Sequence, residues 1–341
     1  MFNLIINDYD KFIYEKELLS FLPPKFIDCH IHLWKNTFTP SGSSNGGATW
    51  TRVMADEMNA EHLQDAFARL FPKNEVVPLV FGGCKVDIAE TNNYVVESAK
   101  KYGYPILYRT DYAMDPDELE ADAKRGHFIG FKPYLTNCPS YIPIPEIRIF
   151  DFLPKEHLEV ANRNGWIVML HIPRSKRLRD ELNIAQLMEI EEKFPNVKLV
   201  VAHIGRAYSK QDVGDAFDIL KNTKNMMFDF TANVCDDAIK ACIEAVGTKR
   251  LMFGSDLPVA IMRMFRTTDE NGFYYNNVPK GLYGDTFSDP HMKLSDREDI
   301  TLMIYEQILA LKRVAQDLRL ADSVVEDIMY GNAKRLIDSV K

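Results

Sequence analysis

Cysteine is scarce in this chain. Five residues in 341, none in a C-x-x-C pair, cannot set up a disulfide framework or a four-thiolate zinc site. Positive charge is also short, with 41 Lys and Arg against 49 Asp and Glu for a net charge of −8, so a nucleic-acid partner is not expected. No apolar run approaches the ~18 residues that a membrane helix needs. The opening segment carries Asp8, Asp10 and Glu15 where a secretory signal would be basic and then apolar. A cytoplasmic protein with reduced thiols and no membrane partner is the expectation. P-loop and dinucleotide fingerprints are missing as well, which removes two common chemistries.

Short apolar runs, each followed by a polar stretch, are abundant. Strands are expected near 26–32, 76–81, 105–109, 128–133, 166–171, 197–203, 226–231 and 250–256. Amphipathic helical patterns lie between them at 56–70, 87–101, 115–125, 154–164, 180–194, 211–223 and 236–245. Asp115-Pro116 opens one of these as cap and first helical residue, and Gly103 and Gly165 follow two others where a helix should stop. Parallel strands need a crossover to bring the chain back to the same end, so eight alternations predict a (β/α)8 TIM barrel. An open doubly wound sheet would alternate in the same way. The barrel is preferred because the candidate ligands fall on strands one, five, six and eight, which only closure brings to a common centre.

The chain reads as a single domain over 1–341, with a pre-barrel segment 1–25 and a barrel over 26–297. Helices follow over 298–341: one near 298–319 closes the barrel, and one near 322–339 packs outside it. Two long insertions follow strands and therefore lie on the expected active face. The first, Lys35 to Arg52, contains the Ser/Gly-rich run 41–47. The second, a lid-like stretch over 257–297, contains Arg263, Arg266, Tyr274, Tyr275 and His291.

His30, His32, His171, His203 and Asp256 end these runs. With a period of two, Asp28, His30 and His32 share one face of the first strand, opposite Ile27, Cys29, Ile31 and Leu33. By the same phasing His171 shares a face with Ile167 and Met169, His203 with Leu199 and Val201, and Asp256 with Met252 and Gly254, whose small size leaves space beneath the tip. Imidazole and carboxylate are the donors that zinc and similar ions prefer, and a catalytic site keeps one position open. His30, His32, His171 and Asp256 are therefore read as ligands of one divalent metal, zinc or alternatively manganese. His203 is read as a neighbour that holds substrate or water, and Asp256 also as the group that takes up a proton. Asp28 lies deeper and is read as orienting a ligand histidine or satisfying the barrel interior, not as a ligand itself. His62, His127 and His157 are read as surface residues.

Lys132 ends strand four, where it could be a carboxylated bridge, a substrate-binding cation or an ion-pair partner; the cation is favoured. Arg109, Arg174 and Arg206, each at or just past a strand end, could join it in gripping a carboxylate, since guanidinium pairs with carboxylates in bidentate fashion. Each could equally pair with a loop acid. Trp34 and Tyr134 are candidate pocket walls.

Ile27-Asp28-Cys29-His30-Ile31-His32-Leu33-Trp34, Met169-Leu170-His171, Val201-Ala202-His203-Ile204-Gly205 and Phe253-Gly254-Ser255-Asp256-Leu257-Pro258 together resemble the amidohydrolase superfamily, in its amidohydrolase-related branch. Gly331-Asn332-Ala333-Lys334-Arg335-Leu336 is similar to the tail segment of that branch, so the resemblance spans Phe26 to about Ile337. It implies a TIM barrel, often a homodimer or higher homo-oligomer, with one divalent metal and a catalytic role for His203. Members of the branch hydrolyse lactones and other C–O or C–N bonds. Others, similar to aminocarboxymuconate semialdehyde decarboxylase, cleave C–C bonds without oxidation, and some lactonases work without metal. Trp34 after His-x-His is similar to the sugar-lactone hydrolases. Lys132 stands where a bridging acid would be, which disfavours a binuclear centre. The function expected is a metal-dependent hydrolase acting on a small carboxylated substrate. The alternatives are a carboxy-lyase on the same metal site and a non-enzymatic metal or small-molecule binding protein.

Overall fold

Eight strands, β1 (Lys25–Leu33), β2 (Glu75–Gly82), β3 (Ile106–Thr110), β4 (Gly130–Pro133), β5 (Ile167–Leu170), β6 (Lys198–Val201), β7 (Met227–Asp229) and β8 (Leu251–Met252), lie in sequence order in one sheet of the computed structural model, which describes residues 2–40, 54–284 and 289–340. Every neighbouring pair is parallel. The sheet closes where Cys29 N donates to Phe253 O at 3.0 Å, Asp256 N to His30 O at 3.0 Å and His32 N to Leu257 O at 3.1 Å. The expected (β/α)8 barrel is therefore the fold.

Helices Ala60–Leu70, Ile88–Tyr102, Pro116–Arg125, Lys155–Asn164, Glu181–Lys193 and Asp236–Val246 make the crossovers. Their capping follows the sequence. Asp115 accepts from the N–H groups of Asp117 and Glu118, and Gly103 and Gly165 end their helices in the left-handed conformation. The helix expected over 211–223 is instead two short pieces, Lys210–Val213 and Ala216–Leu220, because Gly214 at φ +51° breaks the run. The strand expected over 250–256 is only Leu251–Met252: Phe253 N turns away to donate to Ile328 O, and the following residues form the seam with β1.

The phasing of β1 also differs from expectation. A register shift between Asp28 and Ile31 marks a β-bulge, so Cys29 and His30 are not related by simple alternation. Ile27 and Cys29 accordingly join an interior cluster with Leu79, Phe81, Met169, Val200 and Met252, whereas Ile31 and Leu33 pack with the outer core. On β6 it is Val200 and Ala202 that belong to the interior cluster, while Leu199 and Val201 face outward. His203 reaches the centre through a backbone turn beyond the strand end.

Ala333 and Leu336, on helix Asn332–Asp338, also belong to the interior cluster. That helix plugs the end of the barrel where the strands begin, in place of the outside packing expected. Asn332 Nδ2 fastens it by donating to Leu251 O (2.7 Å) and Thr248 O (2.8 Å). His157, expected at the surface, is buried, with Nε2 2.9 Å from Met114 O.

Within the second insertion β9 (Phe265–Thr268), β10 (Tyr274–Pro279) and β11 (Met292–Ser295) form a small separate sheet. The first insertion from residue 41 onward, including its Ser/Gly-rich run, lies outside the described residues. The pre-barrel segment is tied down by a buried ion pair. Arg263 NH1 donates to Asp10 Oδ1 at 2.8 Å, its NH2 donates to Ile5 O at 2.7 Å, and Thr301 Oγ1 also donates to Asp10 Oδ1 at 2.8 Å. Among the described residues no helix is long and apolar enough to cross a membrane.

Gly130→Ala should destabilise the protein by about 3 kcal/mol or more in urea unfolding, because the added Cβ would lie 2.0 Å from the Ile167 carbonyl oxygen, which belongs to backbone and cannot swing aside. Gly103→Ala, where nothing lies within 4 Å, should cost only the ~1–2 kcal/mol of a left-handed backbone. Asp10→Ala should lose about 3–5 kcal/mol, since it leaves the buried Arg263 guanidinium without its counter-charge, and Asp10→Leu with Arg263→Met should recover most of that loss.

Candidate active site

His30 and His32 project from the end of β1, Lys132 from β4, His171 from just past β5, His203 from just past β6 and Asp256 from the seam beyond β8. All six line one cavity of about 280 Å³ at the end of the barrel where the strands finish, together with Tyr134, Tyr208 and Cys84. The ligand atoms of His30, His203 and Asp256 lie within 4.8 Å of one another. His32 Nε2 is 2.8 Å from Asp256 Oδ1, and the ring of His171 meets that of His203 edge to face at 5.1 Å.

Outer hydrogen bonds fix which ring nitrogens face the cavity. His30 Nδ1 is 3.1 Å from Asp229 Oδ2, and His203 Nδ1 is 2.9 Å from Thr231 O. Both partners only accept, so each Nδ1 carries the proton and each Nε2 turns a lone pair inward. Tyr134 donates its hydroxyl proton to Gly82 O at 2.8 Å, so His32 Nδ1, 2.8 Å from the same oxygen, is a donor too. The His32 Nε2 lone pair then faces a carboxylate, and only a second ring proton or a shared cation reconciles the two. Burial lowers the His32 pKa even with Asp256 alongside, which disfavours the second proton. Two inward imidazole lone pairs, a third facing a carboxylate and an ionised Asp256 fit a divalent cation.

Burial alone would raise the pKa of Asp256, and only positive charge among the imidazoles, from ring protons or from a cation in their place, outweighs it and brings the group down to about 2. Asp28, deeper and fully buried, is pushed up to about 7 by desolvation, against the hydrogen bonds from Ser255 and His30. It braces the seam: Ser255 N donates to its Oδ1 at 2.8 Å. Gly254 is small for a reason, since a Cβ there would stand 2.2 Å from Thr231 Oγ1 and 2.7 Å from His30 Cβ.

Lys132 Nζ lies 3.1 Å from His30 Nε2 and 4.6 Å from the Phe81 ring centroid, and among the described residues it forms no ion pair. Burial lowers its pKa to about 8. The arginines and Trp34 are not among the lining residues. Arg109 is buried behind Tyr134, 5.6 Å from that ring, and donates to Val86 O. Arg174 pairs with Asp180 at 3.0 Å, Arg206 donates to Arg174 O at 3.1 Å, and Trp34 Nε1 donates to Asp56 O at 2.9 Å. Arg206 still lies near enough for its charge to help depress the His171 pKa, after burial.

Asp229 was not singled out from the sequence, although its alternation with Met227 and Thr231 at the end of strand seven is a legible signal. Tyr208 has no such signal, because a loop brings it to the cavity. Behind it Arg177 and Arg266 stack on Tyr208 and Tyr274 with guanidinium carbons 4.6–5.3 Å from the ring centroids, and Arg177 pairs with Asp212 at 2.7 Å.

Several solved structures share this architecture. An amidohydrolase from Burkholderia multivorans with bound zinc matches at TM-score 0.61 and 14% identity, over 92% of this chain and 99% of that one. A probable 2-pyrone-4,6-dicarboxylic acid hydrolase from Acinetobacter baumannii, with citric acid bound, matches at 0.58 and 13%, over 92% and 99%. A dihydroxybenzoic acid decarboxylase from a Polaromonas species, with bound manganese and 2-nitroresorcinol, matches at 0.54 and 12%, over 93% and 97%. At these identities the likeness is one of fold. No curated protein matches the sequence. A family model described as amidohydrolase matches residues 27–338, from the first residues of β1 through the helix that plugs the barrel, and on that match the chain belongs to the amidohydrolase family.

Proposed function

We propose that the protein is a metal-dependent hydrolase that cleaves a lactone, ester or amide in a small carboxylated substrate. One observation carries the reading: His30 and His203, with their Nδ1 atoms committed to Asp229 and Thr231 O, turn Nε2 lone pairs toward Asp256 within a 4.8 Å group at the floor of a cavity. These three, with His32 and His171 beside them, would hold one divalent ion. Zinc is the first candidate, given the zinc bound by the Burkholderia relative. Such an ion supplies Lewis acidity, polarising an oxygen and bringing the pKa of water toward about 7.

The side chains divide the remaining work. Asp256, ionised above about pH 2 and partly open to the cavity, accepts a proton and delivers it to the leaving group. His203, with its Nδ1–H held by Thr231 O, presents only the Nε2 lone pair to the reacting centre, to bind the ion or to accept a hydrogen bond there. Lys132 offers a buried positive charge to a substrate carboxylate, reinforced at longer range by Arg206. Tyr134 and Tyr208 form apolar walls that orient the substrate. A carboxy-lyase would use the same groups, with Asp256 or His203 handling the proton, and the decarboxylases among proteins of this fold keep that reading as the alternative.

Metal analysis of protein purified without chelators should find about one zinc or manganese per chain, lost in His30→Ala and in Asp256→Ala; near-zero metal in the wild type would refute the reading. Across a panel of lactones, amides and aromatic acids, Asp256→Asn should lower kcat by on the order of 10²-fold or more with little change in KM. Release of carbon dioxide without hydrolysis would move the assignment to the carboxy-lyase. Asp229→Asn, which keeps the shape but removes the charge behind His30, should weaken metal affinity by about 10–100-fold in a chelator competition while the fold is retained.

A further inference from the structure

At the opposite end of the barrel, where β5 to β8 begin, lies a second and larger cavity of about 690 Å³. It is bounded by the end of helix Lys155–Asn164, the first residues of β6 and β7, the turn before β8 and the plugging helix Asn332–Asp338. Among the described residues six cations line it, namely Arg163, Lys198, Lys224, Lys249, Arg250 and Arg335, and no carboxylate does.

Two of the six are neutralised from outside. Arg163 pairs with Glu120, and Arg335 pairs with Asp327 at 2.9 Å. Lys198, Lys224, Lys249 and Arg250 form no ion pair among the described residues. Arg250 is held rigidly, with NH1 donating to Thr223 O at 2.8 Å and Nε to Val246 O at 2.8 Å. Lys198 is half-buried, and its Nζ donates to the Gly165 carbonyl. Glu191 beside the rim spends Oε1 on the N–H groups of Lys224 (2.7 Å) and Asn225 (2.8 Å). Side-chain amides of Asn162, Asn196 and Asn225 add neutral hydrogen-bonding groups to the wall.

In a chain of net charge −8, four cations that form no ion pair among the described residues, with Glu191 acting on Arg250 only through its charge, line one concavity from separate elements. Like charges lining one concavity are stabilised by a counter-ion bound among them. The volume falls within the ~300–1,000 Å³ of small-molecule sites. Three of the four are lysines, compact point charges of a kind that binds phosphate. We propose that this cavity is an anion-binding site, separate from the histidine cavity, for a small molecule carrying a diphosphate or a comparably dense cluster of anionic oxygens.

Isothermal titration with inorganic pyrophosphate, and in parallel with citrate, tests this in the intact protein. One pyrophosphate per chain is expected, with affinity reduced about tenfold or more in Lys224→Glu/Lys249→Glu and more modestly in Lys198→Met. Circular dichroism and thermal melting should confirm that both variants fold, and His203→Asn should bind as the wild type does. Citrate binding as tightly as pyrophosphate, with the same dependence on the lysines, would assign the anionic oxygens to a polycarboxylate and keep the site. Absence of binding up to about 10 mM of either probe, equal binding in the double lysine variant, or loss in His203→Asn would overturn the proposal.

Discussion

Asp229 lies fully buried beneath the histidines and accepts three hydrogen bonds. One comes from His30 Nδ1, one from the backbone N–H of His203 at 2.7 Å and one from that of Thr231 at 3.1 Å. A buried carboxylate is tolerable only where donors surround it, and these donors are themselves parts of the site. The single charge therefore sets the tautomer of one candidate ligand, the backbone position of a second, and the turn whose Thr231 carbonyl orients that second ring. The polarity of the cavity depends on this one group.

Around it the backbone is held in uncommon conformations. His203, Ile204, Gly205 and Arg206 are consecutive left-handed residues at φ +47° to +61°, and Asp256 is at φ +70°. Each non-glycine residue there costs roughly 1–2 kcal/mol, most for a β-branched side chain such as Ile204. The turn persists because Asn233 Nδ2 donates to Ala207 O at 2.8 Å and to His203 O at 3.3 Å, and because Gly205 allows Leu178 to close in, where a Cβ would meet its Cδ1 at 2.4 Å. Strain concentrated at the two residues on either side of the cavity is what a preorganised site requires, and the surrounding hydrogen bonds offset it.

The barrel was legible in the sequence because hydrophobic alternation and helix caps are local signals. Asp115, Gly103 and Gly165 each act through neighbours within a few residues. The gathering of His30, His32, His171, His203 and Asp256 was legible for a related reason, since strand ends in a closed barrel must converge. What the period could not show was the β1 bulge, which places Cys29 and His30 on the same interior side, or the turn that swings His203 inward from the wrong phase. Both depend on contacts between distant strands. The arginines near the end of β3 and just past β5 and β6 suggested a clamp by type and position, but their guanidinium partners, such as Asp180 for Arg174, come from loops whose course no local pattern encodes.

The seam between β1 and β8 has a consequence for the life of the chain. His32 and Asp256 stand 224 residues apart in sequence and 2.8 Å apart in space, and the hydrogen bonds that close the barrel run through their own neighbours. During synthesis the first strand must wait with two imidazoles and an unpaired edge until the last strand is made. Closure of that edge and assembly of the histidine cavity are then one event, so a chain that stops short of the β8 seam cannot bring His30 and His32 to Asp256.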